Sequence, residues 1–170
     1  MAVCLLMMGI FVMSVNAKAA DNDSSAPEIP GLTFQSEMQN DFAECFHIYY
    51  YNDDYTLIDV PDSGQFLLVP EGKSAPDGLD EDIVVLQKPL NNIYLAATSA
   101  MSLFSSLDAL DDIKFSSLQE SGWYVDAAKQ AMENGDIVFA GKYSEPDYEL
   151  LVNSGCNLAI ESTMILHTPK

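Results

Sequence analysis

The chain begins with an uncharged apolar run at residues 3–15 and then turns abruptly polar. Residues 21–41 show little periodicity and are dominated by Asp, Asn, Ser, Pro and Gly, the pattern of a linker. From residue 42 the pattern reads as β. Residues 42–51 alternate loosely and are rich in aromatics, 55–60 and 65–69 follow, and Asn52-Asp53-Asp54 and Pro61-Asp62-Ser63-Gly64 supply the turns. These signals predict a small antiparallel meander. Residues 70–82 read as a polar loop.

The pattern then changes. Short, continuous apolar runs at 83–86 and 93–97 predict strands buried on both faces. Thr98 or Ser99 is placed to cap a helix on which Ala100, Leu103, Phe104, Leu107 and Leu110 share one face. After a short strand at 113–115, residues 123–134 predict a second helix with Val125, Ala128 and Met132 on its apolar stripe and Gly135 as its stop. Residues 137–140 read as the next buried strand. Ser144 is placed to cap a third helix, with Pro146 in its first turn, Asp147 set for a reciprocal cap and Gly155 as its end. A strand at 158–160 closes the pattern. The alternation predicts an α/β fold: a mostly parallel sheet flanked by helices, preceded by the small antiparallel β meander.

The apolar run is too short to span a bilayer but suits the core of a signal peptide. The small residues of Asn16-Ala17-Lys18-Ala19-Ala20 suit a signal peptidase, so a cut is expected after Ala19 or Ala20. The organisation read from the sequence is therefore a signal peptide at 1–20, a linker at 21–41 and the folded part at 42–170. The protein is expected to be exported, to a periplasm, cell surface or extracellular space. Export would put Cys45 and Cys156 where a disulfide is allowed. They lie far apart in sequence, and the favoured reading is two buried small hydrophobes.

Charge narrows the partners. The chain has 26 acidic residues against seven lysines, no arginine and a net charge of −19. Nucleic acid is excluded as an expected partner, because that affinity needs clustered Lys and Arg, and an anionic membrane surface is disfavoured for the same reason. At 48 % hydrophobic residues the chain is too apolar for a disordered acidic tail.

Catalytic signals are thin. The sequence holds no G-x-S-x-G elbow, Gly-rich phosphate loop, H-E-x-x-H or C-x-x-C, and its paired carboxylates fall at turns. Two cysteines with His47 and His167 lack the close spacing of zinc ligands. No catalytic residue, metal or cofactor is assigned. The remaining signal is positional: in open parallel α/β sheets ligands bind at the carboxyl ends of strands. Three such segments supply the candidate ligand-binding residues, Thr98 and Ser99, then Lys142, Tyr143 and Ser144, then Glu161, Ser162 and Thr163. For any one hydroxyl, helix capping is the alternative.

Two stretches carry a resemblance. One is Ile93-Tyr94-Leu95-Ala96-Ala97-Thr98-Ser99-Ala100, running on to Leu107-Asp108-Ala109-Leu110. The other is Tyr143-Ser144-Glu145-Pro146-Asp147-Tyr148-Glu149-Leu150-Leu151, leading to Gly155-Cys156-Asn157-Leu158-Ala159-Ile160-Glu161-Ser162. Their order over residues 42–168 resembles the N-terminal lobe of bacterial substrate-binding proteins of iron-siderophore, haem and cobalamin ABC transporters. The second stretch resembles that family's aromatic loop, P-D/N-x-E helix and x-P-D-L-V-I strand, with Cys156-Asn157 where the family has Pro-Asp.

The resemblance implies a non-enzymatic solute-binding component that captures a metal chelate or corrinoid for delivery to the membrane subunits of an ABC permease. It implies one lobe of a two-lobed protein, cut short, since the family's long helix and second lobe do not follow. Tyr143 and Ser162 match ligand-side positions. Glu149 matches the acidic residue that docks on permease arginines, although a first-turn Glu is also what a helix dipole favours. The lack of arginine speaks against an anionic siderophore and favours a neutral or cationic chelate, or a corrinoid. The rival readings are a secreted hydrolase using a carboxylate pair and a cell-surface interaction module built on the meander.

Overall fold

The computed structural model describes residues 26–167; the apolar run, the expected cut and the first residues of the expected linker lie outside that range. Within it the chain is mixed α/β, with two separate larger sheets, a two-stranded hairpin and three α-helices. Among the described residues no helix is long and apolar enough to cross a membrane.

Tyrosine-rich alternation builds the first sheet. Its strands are β1 (Phe34–Glu37), β2 (His47–Tyr51), β3 (Thr56–Val60), β4 (Gly64–Val69) and β5 (Ile83–Gln87), adjacent in chain order. The first three pairings are antiparallel and β4–β5 is parallel. The two-residue period puts Tyr49, Tyr51, Leu57, Leu67 and Val69 on one face, where they form a core with Tyr55 and Ile29. Phe34 packs edge-on against Tyr49 and Tyr51, at ring-centroid distances of 6.3 and 6.2 Å. The Tyr51 hydroxyl donates to the Pro27 carbonyl at 2.6 Å, and the Tyr55 hydroxyl to the Ser74 carbonyl at 2.7 Å. Those bonds tie the flanking segments to the same face. On the other face Ile48, Ile58, Phe66 and Val84 stand in register across four strands, none fully buried.

Several expectations change here. The stretch read as a linker contributes strand β1 and the buried Ile29, because tertiary pairing supplies order that local composition does not encode. The strand expected from residue 42 begins at His47. Before it the Asn40 side chain accepts from the Ala43 and Phe42 amides, an Asx turn, and Cys45 is exposed rather than buried. The run at 83–86 is not buried on both faces. It pairs parallel with β4 at the sheet edge, leaving Val84 and Val85 exposed.

The second sheet is parallel throughout, in the order β11-β6-β7-β8. Its elements in chain order are β6 (Ile93–Leu95), α1 (Met101–Ser106), β7 (Ile113–Ser116), α2 (Asp126–Asn134) and β8 (Val138–Phe139). A hairpin of β9 (Gly141–Lys142) and β10 (Glu145–Pro146) follows, then α3 (Tyr148–Asn153) and β11 (Leu158–Ile160). Leu95, Ile113 and Ile137 pack with Met101, Ala128 and Trp123 on the side of α1 and α2, whereas Tyr94, Ala96, Phe115 and Ala140 pack with Leu151 of α3. A register shift beside Lys114 lets Ile113 and Phe115, two residues apart, serve opposite faces.

The helices differ in detail from the sequence pattern. On α1 it is Met101 that is fully buried, while Leu103 and Leu107 are 64 % and 77 % exposed. Ala100, Phe104 and Leu110 of the predicted face pack on the same core as Met101, so the face holds in part. The α2 stripe holds, and Gly135 closes that helix at φ 82, a left-handed conformation that costs glycine least. Asp147, not Ser144, caps α3, accepting from the Leu150 amide at 2.9 Å, because Glu145 and Pro146 are spent in the hairpin. The strand at 137–140 shortens to β8, an edge strand with Val138 exposed.

Candidate functional site

Chain order sets where a site can form. From β6 the chain adds β7 and then β8 on one side, and then returns to place β11 on the other side of β6. That reversal lies between the carboxyl ends of β6 and β11, the position at which such sheets bind ligands, whereas the clefts lined by the predicted residues open on the β7 side of β6. The two ends are stitched together: the Ala96 and Ala97 amides both donate to the Ile160 carbonyl, each at 2.9 Å.

A buried serine shapes the next loop. Ser116 at the end of β7 is fully buried, and its hydroxyl accepts from the Trp123 indole and the Leu118 amide, both at 3.0 Å, while donating to the Leu118 carbonyl at 2.7 Å. Every polar group of that cluster is thereby satisfied, which fixes residues 116–123. The Ser117 hydroxyl donates across to the Ala96 carbonyl at 3.3 Å, tying this loop to the end of β6.

Beyond β8, Gly141 lies at φ 84, and a Cβ there would sit 2.7 Å from the Asp147 amide nitrogen and closer still to the Glu145 carbonyl oxygen. Only glycine lets the hairpin fold this tightly. The Gly141 carbonyl accepts from the Tyr94 hydroxyl at 3.2 Å. Burial, with smaller contributions from Glu161, Tyr148 and Cys156, pushes Tyr94 up to about 12, so its hydroxyl keeps the proton it donates at any neutral pH.

Two clefts open between these loops. One, of about 450 Å³, brings Thr98 and Ser99 together with Ser102, Leu118, Gly122, Trp123, Tyr124 and Val125. The other, of about 370 Å³, brings Lys142 and Tyr143 together with Ser117, Leu118, Gln119, Ser121, Gly122 and Phe139. They share Leu118 and Gly122 as a common wall. Thr98 and Ser99 make no side-chain cap on the helical turns they open, so capping does not account for them.

The remaining predicted residues fall elsewhere. Glu161 lines a third groove of about 280 Å³ on the α3 side, with Tyr94, Tyr148 and Cys156. Ser144, Ser162 and Thr163 line none of these three spaces, and the Ser162 hydroxyl accepts from the Met164 amide at 3.3 Å in a local turn. Glu149 is exposed in the first turn of α3. A hollow of about 490 Å³ belongs to the first sheet between residues 26–34 and Tyr51, and none of the predicted residues lines it.

The loop from β7 to α2, which lines both clefts, was not among the three segments picked from the sequence. Its signal was present: Ser116-Ser117 followed by Trp123-Tyr124, between a strand and a helix, is the same kind of strand-end segment. Tyr124 is 96 % exposed at the edge of the first cleft. Among the described residues no group of three or more His, Cys, Asp or Glu is placed to hold a metal ion, and Cys45 and Cys156 are free. Comparison with family models, with curated proteins and with solved structures gave no match to this chain.

Proposed function

We propose that this chain is an exported solute-binding protein of an ABC importer, its parallel unit serving as one lobe of a two-lobed binder. It captures a metal chelate or corrinoid for hand-over to the permease. The observation that carries the reading is the pair of clefts at the carboxyl ends of a doubly wound parallel sheet, walled by hydroxyls and aromatics. Such walls hold and orient a ligand with apolar faces and oxygen acceptors. No Asp or Glu lines either cleft, so neither offers the carboxylate pair that the hydrolase reading needs. The order of the parallel unit's elements, from the hydroxyl-bearing turn after β6 to the Asp147-capped α3 with exposed Glu149, agrees with the family resemblance.

Trp123 is the one tryptophan of the chain and lines the first cleft, so its emission is a reporter placed beside that site. Titration with a ferric trihydroxamate, haem and cobalamin is expected to change that emission saturably for one of them. No change with any of the three overturns the reading. Glu149→Ala is expected to leave binding intact and abolish uptake in cells carrying the variant; unchanged uptake removes the docking role.

A further inference from the structure

The charge of the clefts does not follow the charge of the chain. Although acids outnumber lysines 26 to seven, the fourteen residues that line the two strand-end clefts include one lysine, Lys142, and no carboxylate. Glu120 and Asp126, and Glu145 in register opposite Lys142 on the hairpin, are exposed and line neither cleft, and Glu161 lines the groove on the α3 side.

A cation entering these clefts would give up water without meeting a counter-charge, which costs free energy at any partly desolvated site. Aromatic rings can replace a carboxylate only by converging on the cation. Here Tyr124 borders one cleft and Tyr143 the other, and Trp123 between strand and helix is 3 % exposed. The hydrogen-bonding side chains lean the other way. Lys142 puts a strongly hydrated positive charge in the lining, while Thr98, Ser99, Gln119 and Ser121 offer donors and acceptors alike, which suit the oxygens and hydroxyls of a neutral ligand.

We infer that the clefts take an oxygen-rich ligand that is neutral or singly anionic, and that they reject a net-cationic one. The inference rests on the proposed reading only in taking the strand-end clefts as the ligand site. It removes the cationic chelate that the lack of arginine left open, because binding responds to the groups a ligand touches and the distant surface acids are screened by salt.

The test is calorimetric titration of the whole chain with three ferric trihydroxamates of equal denticity, one cationic, one neutral and one anionic, with Trp123 emission as the local reporter. The neutral and anionic complexes are expected to bind at least about tenfold more tightly than the cationic one, as expected for a charge without a partner. Ser121→Asp, in an exposed loop, and Lys142→Glu are each expected to narrow or reverse that order. Preferential binding of the cationic complex overturns the inference and leaves the site in place. Unchanged preference in both variants, with native circular dichroism, also overturns it. Absence of binding by all three complexes overturns the ligand-site reading on which it stands.

Discussion

The two large sheets of this protein solve the same packing problem in different ways. The first gathers its core on one face, Tyr49, Tyr51, Leu57, Leu67 and Val69 against segments 26–32 and 70–82, and leaves Ile48, Ile58, Phe66 and Val84 partly exposed on the other. The second is covered on both faces by helices, so its strands are short and its side chains are spent inside. A sheet wrapped on both sides has only its strand ends left to offer a ligand. That is where the clefts, the satisfied Ser116 cluster and the glycine-tight hairpin are found. Both units use a buried tyrosine hydroxyl to pin a neighbouring segment: Tyr51 holds Pro27 and Tyr94 holds Gly141.

The largest expected effects test whether the two cores are separate. Leu67 and Leu95 are both fully buried and belong to core clusters with no shared residue. Replacing either by Ala is expected to cost about 3 kcal/mol. Amide-exchange protection should fall chiefly in the sheet that carries the change. Phe66→Ala, on the open face beside Leu67, is expected to cost only about 1 kcal/mol, since part of that ring already meets solvent. Equal loss of protection in both sheets after either leucine substitution breaks the comparison.

A smaller effect sharpens it. Gly141→Ala forces a Cβ against the Asp147 amide and the Glu145 carbonyl at a positive φ. Thermal unfolding should register a loss of about 2 kcal/mol. The damage should centre on the hairpin that carries Lys142, reducing ligand affinity while exchange in β2–β4 stays as it was.

The smallest effect concerns pH. Burial is the leading cause that pushes both Tyr51 and Tyr94 up to about 12 from 10.0. Above about pH 10 the unfolded chain releases protons that the folded chain keeps, so stability is complete below that pH and declines as pH rises toward about 12. Urea midpoints measured across that window should show the decline. Tyr51→Phe and Tyr94→Phe should each flatten part of it, at the cost of one hydrogen bond at neutral pH.

Much of this fold is legible in the sequence. The β pattern at 42–51, 55–60 and 65–69, with turn residues between, located the meander, though its first strand begins only at His47, and Gly135 and Gly155 marked two helix ends. The candidate site was legible by position more than by residue. Thr98, Ser99, Lys142 and Tyr143 line the clefts, whereas the Ser162 hydroxyl serves a local turn, because a serine at a strand end has the same local signature whether it faces a ligand or its own backbone. The loop from 117 to 124 was missed because its importance comes from contact with β6 and β8, elements distant in the chain.

The sequence by itself determined the alternation of strand and helix, the sites of the turns and the large negative charge, since each depends on near neighbours or on a sum. Tertiary structure decided which apolar run sits at an edge, as β5 does, and which is central, as β6 is. It also decided that the strand-end clefts of an acidic chain are lined without a single carboxylate. Partner choice between strands and the local charge of a cleft are set by residues far apart in the chain. No local pattern records which of them will meet.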